Sequence, residues 1–215
     1  MLNIVFVCTG NRCRSPMAEA FVRLSGLQLP VEVSSVGLLD VGRLGPPREL
    51  LEVLGSFGVD LASHRARPLA GVDLSGADLV IGFEHAHIAA AVVEGNARHE
   101  TVFLFKEIVR LLETVDTVES EDPVERARLA LKSAAEQRES VGFVGKEDMA
   151  DPFGGSRRVY TDSATQARDL SRRLLLGLFG RSRPGGPTPS SYPAEQTGLA
   201  SPQAGRSHSG RKPDR

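Results

Sequence analysis

Eight consecutive residues, Cys8-Thr9-Gly10-Asn11-Arg12-Cys13-Arg14-Ser15, concentrate the reactive groups of this chain. They follow an apolar run, Leu2 to Val7, and precede Pro16, which suits the first turn of a helix because its missing N–H costs nothing there. A strand that runs through a glycine-bearing loop into a helix brings backbone N–H groups and the positive end of the helix dipole to one point, and so makes an anion-binding cradle. Arg14 adds a planar fork suited to two oxygens of a phosphate. Cys8, at the edge of the cradle, is expected as the thiolate, the form in which sulfur attacks. Together these residue types specify nucleophilic attack on a bound phosphoryl group, and Ser15 can donate its hydroxyl hydrogen to the sulfur when it departs.

The elements that must position this loop follow from the apolar pattern. Leu2–Val7, Val31–Val36, Leu79–Phe83 and Thr101–Phe105 are short β-rich runs separated by stretches of helical periodicity. That alternation specifies an α/β fold, a three-layer α/β/α sandwich with a central four-stranded parallel sheet and the phosphate-binding loop after the first strand. With Ser15 as N-cap, Met17, Ala20, Phe21 and Leu24 mark the first helix. Leu50, Leu51, Leu54 and Phe57 mark a second, ending near Gly58. Asp122, Pro123 and Glu125 begin a helix bearing Val124, Ala127, Leu131 and Ala134, and Ala167, Leu170, Leu174 and Leu178 form the last, stopped at Gly180.

The stretch from Cys8 to Pro16 resembles the loop of the low-molecular-weight protein-tyrosine phosphatases, which reads Cys, five residues, Arg, Ser. Asp151-Pro152-Phe153 matches the Asp-Pro pair of that family. The resemblance implies that Cys8, Arg14 and Asp151 are catalytic, with Asp151 protonating the leaving oxygen and then activating water. It implies phosphate contacts from Thr9, Gly10, Asn11, Arg12, Cys13 and Ser15. Val33-Ser34-Ser35-Val36-Gly37 looks like the family's second strand and Ser63-His64-Arg65-Ala66-Arg67 like its His-containing turn. On that likeness Asn11, Ser35 and His64 hold the loop open, Phe153 is the one aromatic wall for a substrate ring, and Cys13 could pair reversibly with Cys8. Tyr160 and the helix after it fit the family's end, so the likeness covers residues 1–180.

Arg12 departs from the pattern. Tyrosine-specific members usually carry an aliphatic residue there and the related protein-arginine phosphatases a small β-branched one. The surrounding Cys-Thr-Gly-Asn, Arg-Ser-Pro-Met-Ala-Glu-Ala and Asp-Pro-Phe-Gly-Gly-Ser segments look closer to the arginine branch. A guanidinium at position 12 would repel the cationic leaving group of phosphoarginine, so charge favours phosphotyrosine. A protein-arginine phosphatase is the alternative activity, and an inactive phosphate-binding module is the alternative of a different class. An arsenate reductase of this fold needs further cysteines, and none follows Cys13. His85 and His87, two apart on a helix, do not share a face and are expected at the surface. The stretch from Thr114 to Met149, long for the family, is expected to act as a lid or as packing.

Composition agrees with an enzyme body and a tail. The 215 residues carry 26 Lys and Arg against 27 Asp and Glu, a balance that suggests neither a nucleic-acid nor a membrane surface. Two cysteines cannot build a disulfide framework, and the apolar start is too short for a signal peptide or a span. The expectation is a cytoplasmic, bacterial enzyme acting on phosphorylated proteins, needing no metal or cofactor. Residues 181–215 are rich in Pro, Gly and Ser with no periodic apolar positions, and are expected as a disordered basic tail.

Overall fold

A computed structural model describes residues 1–116, 120–141 and 147–180. The expected tail, residues 181–215, lies outside the described residues.

Four parallel strands form one sheet in the order β2-β1-β3-β4, with β1 over Leu2–Cys8, β2 over Val31–Gly37, β3 over Leu79–Gly82 and β4 over Val102–Leu104. The strand expected over Thr101–Phe105 is shorter because Thr101 ends a 3-10 turn and Phe105 begins a helix. Side chains alternate across the sheet, so β1 feeds two cores. Leu2, Ile4, Phe6 and Cys8 join one apolar cluster, while Val5 and Val7 join the other.

The larger cluster is closed by helices α1 (Arg14–Ser25), α2 (Arg48–Gly55), α4 (Phe105–Thr114), α5 (Pro123–Val141) and α6 (Arg157–Phe179). Helix α3 (His85–Val93) and the segment carrying Leu69 and Leu74 close the smaller one. The three-layer sandwich is therefore as expected. Within the larger core the rings of Phe6, Phe83 and Phe105 meet at centroid distances of 5.3 to 6.2 Å. These aromatic contacts anchor the ends of β1 and β3 where the reactive loop begins.

Helix α1 starts at Arg14, with Cys13 at the N-cap, two residues ahead of the start expected at Pro16 after an N-cap at Ser15. Cys13 C=O accepts the Met17 N–H at 3.1 Å, so the helical bonding reaches back into the loop. The Asp122 carboxylate accepts the Val124 N–H at 2.9 Å and starts α5, whose Ala127 and Ala134 are fully buried. Of the two roles expected for the 114–149 stretch, α5 therefore serves packing.

Candidate active site

The loop after β1 is folded by its neighbours as much as by its own sequence. The carbonyls of Cys8 and Thr9 accept the N–H groups of Leu38 and Leu39 at 2.9 and 2.8 Å, which turns them outward. Among the described residues, the N–H groups of residues 9–14 have no protein acceptor, so they remain available to an anion inside the loop. Gly37 makes this approach possible: a Cβ there would stand 2.6 Å from the Asn11 nitrogen and 2.8 Å from the Gly10 carbonyl carbon.

Asn11 is the pivot. Its φ is +49°, in the left-handed region that Asn tolerates better than most residues, and it is wholly buried. Its Nδ2 donates to Ser35 Oγ at 2.7 Å and to Ser15 Oγ at 2.9 Å, while its Oδ1 accepts the Arg67 N–H at 2.9 Å. His64 Nε2 donates to its carbonyl at 2.8 Å. The structure thus brings Asn11, Ser35 and His64 into one network, with Arg67 as a further member that the sequence did not single out.

Cys8 is buried at the base of the loop, its Sγ 3.0 Å from Ser15 Oγ. Because Ser15 Oγ accepts from Asn11, its own hydrogen is directed to the sulfur or to the Val36 carbonyl at 3.3 Å. Cys13 is a second buried free thiol. Burial first, then the negative charges of Asp151 and Cys8, push its pKa up to about 12, which keeps it a protonated thiol.

Arg14 is 1% exposed and fully engaged on one edge. Its Nη1 donates to the Glu84 carboxylate and, at 3.0 Å, to the Met149 carbonyl, and Nη2 donates to Thr9 Oγ1 at 3.1 Å and Asp151 Oδ2 at 2.7 Å. Its Nε has no acceptor among the described residues. The Nε–H is therefore open to a substrate oxygen, and Nη2 completes a two-point fork when a ligand takes the donor that Asp151 holds.

Asp151 reaches the loop because its own segment is tied down. Met149 N–H donates to the Phe83 carbonyl at 2.8 Å, Phe153 N–H to Asp151 Oδ1 at 3.1 Å, and Gly154 N–H to the buried Tyr160 hydroxyl at 3.2 Å. Phe153 is 56% exposed at the mouth, and the Arg12 guanidinium stacks 5.1 Å from its ring centroid while Arg12 Nε donates to the Gly45 carbonyl at 2.8 Å. The Arg12 side chain is thus turned away from the cradle. Of Arg12 only the backbone N–H remains as the expected phosphate contact, together with those of Thr9, Gly10, Asn11 and Cys13.

His87 corrects the expectation of a surface histidine. It is 1% exposed, whereas His85 is exposed and pairs with Asp148 at 3.0 Å. His87 Nδ1 accepts the N–H groups of Phe83 and Glu84 at 3.2 and 3.1 Å, which leaves Nε2–H to donate to Thr9 Oγ1 at 3.1 Å. Burial, and after it the nearby Arg14 charge, lower its pKa to about 4. Gly82 makes room for it, since a Cβ there would meet His87 Cβ at 3.0 Å and Ile88 Cδ1 at 2.9 Å. With Arg67, Glu84 and His87 are the site residues that sequence reasoning missed.

Among the described residues no helix is long and apolar enough to cross a membrane. The family model for low molecular weight phosphotyrosine protein phosphatase matches residues 3–141. A protein-arginine-phosphatase of Bacillus subtilis is 29% identical over 181 residues, covering 82% of this chain and 97% of its own length. The low molecular weight protein-tyrosine-phosphatase YfkJ of the same organism is 30% identical over 128 residues, 57% of this chain and 81% of its own. A solved YwlE arginine phosphatase, a cysteine-to-serine mutant with a phosphorylated active site serine, is 29% identical, covers 80% of this chain and 93% of that one, and superposes with a TM-score of 0.59. With the loop between β1 and α1 built as described and the family match spanning the whole sheet, the chain belongs to the low molecular weight phosphotyrosine protein phosphatase family and is a phosphatase of the hydrolase class.

Proposed function

We propose that the protein hydrolyses phosphotyrosine monoesters on proteins through a phosphocysteine intermediate. The observation that carries the reading is the convergence of Cys8 Sγ, Ser15 Oγ, the Arg14 fork and Asp151 on one loop of unbonded N–H groups. The Cys8 thiolate attacks phosphorus, the S–P bond forms and the P–O bond to the phenol breaks. Asp151 gives its proton to the departing oxygen. Loop amides and the Nε and Nη2 edge of Arg14 stabilise the equatorial oxygens, so the phosphoryl group takes over the donor that Asp151 occupies and releases that carboxylate for proton transfer. Water then attacks phosphorus, Asp151 accepts its proton, and the P–S bond breaks with Ser15 donating to the leaving sulfur. The phosphorylated serine of the mutant arginine phosphatase supports covalent phosphorylation at the corresponding position.

Arg12 favours the tyrosine substrate. Its guanidinium, fixed over Phe153 at 5.1 Å, sets a positive charge beside the leaving group and offers an aryl ring an aromatic neighbour. A phosphoarginine leaving group is itself cationic and would be repelled. The second reading, a protein-arginine phosphatase, is favoured by the long alignment with the Bacillus subtilis enzyme of that name. Metal-free hydrolysis of an aryl phosphate and of a phosphoarginine peptide, by the intact protein and by Cys8→Ser, decides between them. The tyrosine reading expects aryl turnover that vanishes in Cys8→Ser with little arginine activity; the reverse preference supports the second reading, and no turnover of either points to an inactive phosphate-binding module.

A further inference from the structure

The mouth of the site carries guanidinium groups that phosphoryl transfer does not use. Arg12 is held in one plane by the Gly45 carbonyl and by the Phe153 ring, and its two Nη nitrogens have no acceptor among the described residues. Arg65 also borders Gly45, and its Nη1 donates to the carbonyls of Ala62 and His64 at 2.9 and 2.7 Å. That same nitrogen lies 3.7 Å from the point where a Gly45 side chain would begin. The Ala66 N–H donates to the Leu44 carbonyl at 3.0 Å and clamps the two segments together, so both guanidinium groups border one backbone position.

Neither has a carboxylate partner among the described residues. Asp151 pairs instead with Arg14, and Glu52 with Arg48 and Arg157. The chain has slightly more acids than bases, so this unpaired pair is a local feature and not a general excess of charge.

We propose that Arg12 and Arg65, both bordering Gly45, form a subsite for an acidic side chain that flanks the phosphorylated residue of a protein substrate. Stacking on Phe153 removes much of the freedom that an exposed arginine would lose on pairing, which is the usual reason such pairs gain little. A planar carboxylate matches the guanidinium fork, and the missing side chain of Gly45 leaves the approach to Arg65 Nη1 clear. The inference rests on the phosphatase reading for its substrate and extends it to the residues beside the phosphate.

The test uses three phosphotyrosine peptides of one sequence, with Asp and Glu, Asn and Gln, or Lys on both sides of the phosphorylated residue. Their Kd values are measured on the full chain carrying Cys8→Ser, which removes turnover. The acidic peptide is expected to bind about fivefold more tightly than the amide peptide, the lysine peptide more weakly still, and the preference to fade with added salt. Arg12→Gln or Arg65→Gln, added to Cys8→Ser, is expected to bring the preference below about twofold. Equal Kd values for the acidic and amide peptides, or a preference that survives both arginine substitutions, overturn the subsite. Hydrolysis of a small aryl phosphate by the unsubstituted protein tests the phosphatase reading separately, because that substrate has no flank. Failure there with the peptide preference intact removes the reading and leaves the subsite.

Discussion

Arg14 Nη2 donates to Asp151 Oδ2 across 137 positions of sequence at 2.7 Å, so the phosphate fork and the group proposed as general acid share one hydrogen bond. Arg14 is buried while Asp151 is 39% exposed, and the pair therefore lies at the boundary between core and mouth. A ligand that takes this donor from Asp151 changes the carboxylate's charge environment in the same event. On the proposed mechanism, ligand binding and proton transfer are coupled through this single nitrogen.

The first prediction concerns the fork. Arg14→Lys keeps the charge but cannot reach Glu84, Met149, Thr9 and Asp151 together, nor offer two parallel donors. We expect kcat/KM to fall by about 10²-fold or more, with KM raised as well as kcat lowered. Because both partner carboxylates are more than a third exposed, the stability cost should be modest, about 1–2 kcal/mol. Steady-state kinetics and urea unfolding check both; near-normal kinetics would remove Arg14 from phosphate binding.

The second prediction separates Asp151 from the fork. Asp151→Asn preserves size and its one carbonyl oxygen can still accept from either Arg14 or the Phe153 N–H, but it carries no transferable proton. Turnover of esters with poor leaving groups should drop by about 10²–10⁴-fold, and esters of strongly acidic phenols much less. A plot of kcat against leaving-group pKa should steepen in the variant. Equal losses for every leaving group would mean that Asp151 positions Arg14 and transfers no proton.

The strand, loop and helix carrying Cys8 to Ser15 were legible because they are local: an apolar run, a glycine and a proline stand within sixteen residues. Asp151, Ser35 and His64 were legible only through the family likeness, since nothing in their own surroundings marks them. Glu84 and His87 were not, because parallel topology brings the end of β3 beside the end of β1 from 70 or more positions away. Two histidines two apart on a helix gave no sign that one of them would be covered. The useful signal was Gly82, whose missing side chain admits His87.

The third prediction uses the close packing behind the loop. Gly37→Ala would thrust a methyl group to 2.6 Å from the Asn11 nitrogen, and since the obstacle is backbone, the loop itself must shift. We expect a loss of about 1–3 kcal/mol together with a fall in kcat, because the N–H groups move with Asn11. Gly76→Ala, with nothing within 4 Å of the added carbon, is the control and should leave kcat unchanged. A Gly37→Ala protein with normal kcat would show that the cradle does not depend on this contact.

The last prediction is a dependence of stability on pH through His87. Folded, it titrates near 4 where an unhindered histidine titrates near 6.5, since burial and Arg14 both oppose the imidazolium. Between those values the unfolded chain binds a proton at this position that the folded chain does not. Stability therefore falls as pH drops from about 6.5 to about 4, by on the order of 3 kcal/mol over the window, and the full contribution is present above it. His87→Gln has no titrating group and should lose less on acidification, although it starts lower at neutral pH because Phe83, Glu84 and Thr9 lose well-matched partners. Urea unfolding of both proteins at pH 7 and pH 4.5 makes the comparison, with the acids common to both cancelling in the difference. Parallel losses in the two proteins would show that His87 takes up its proton without strain in the folded chain.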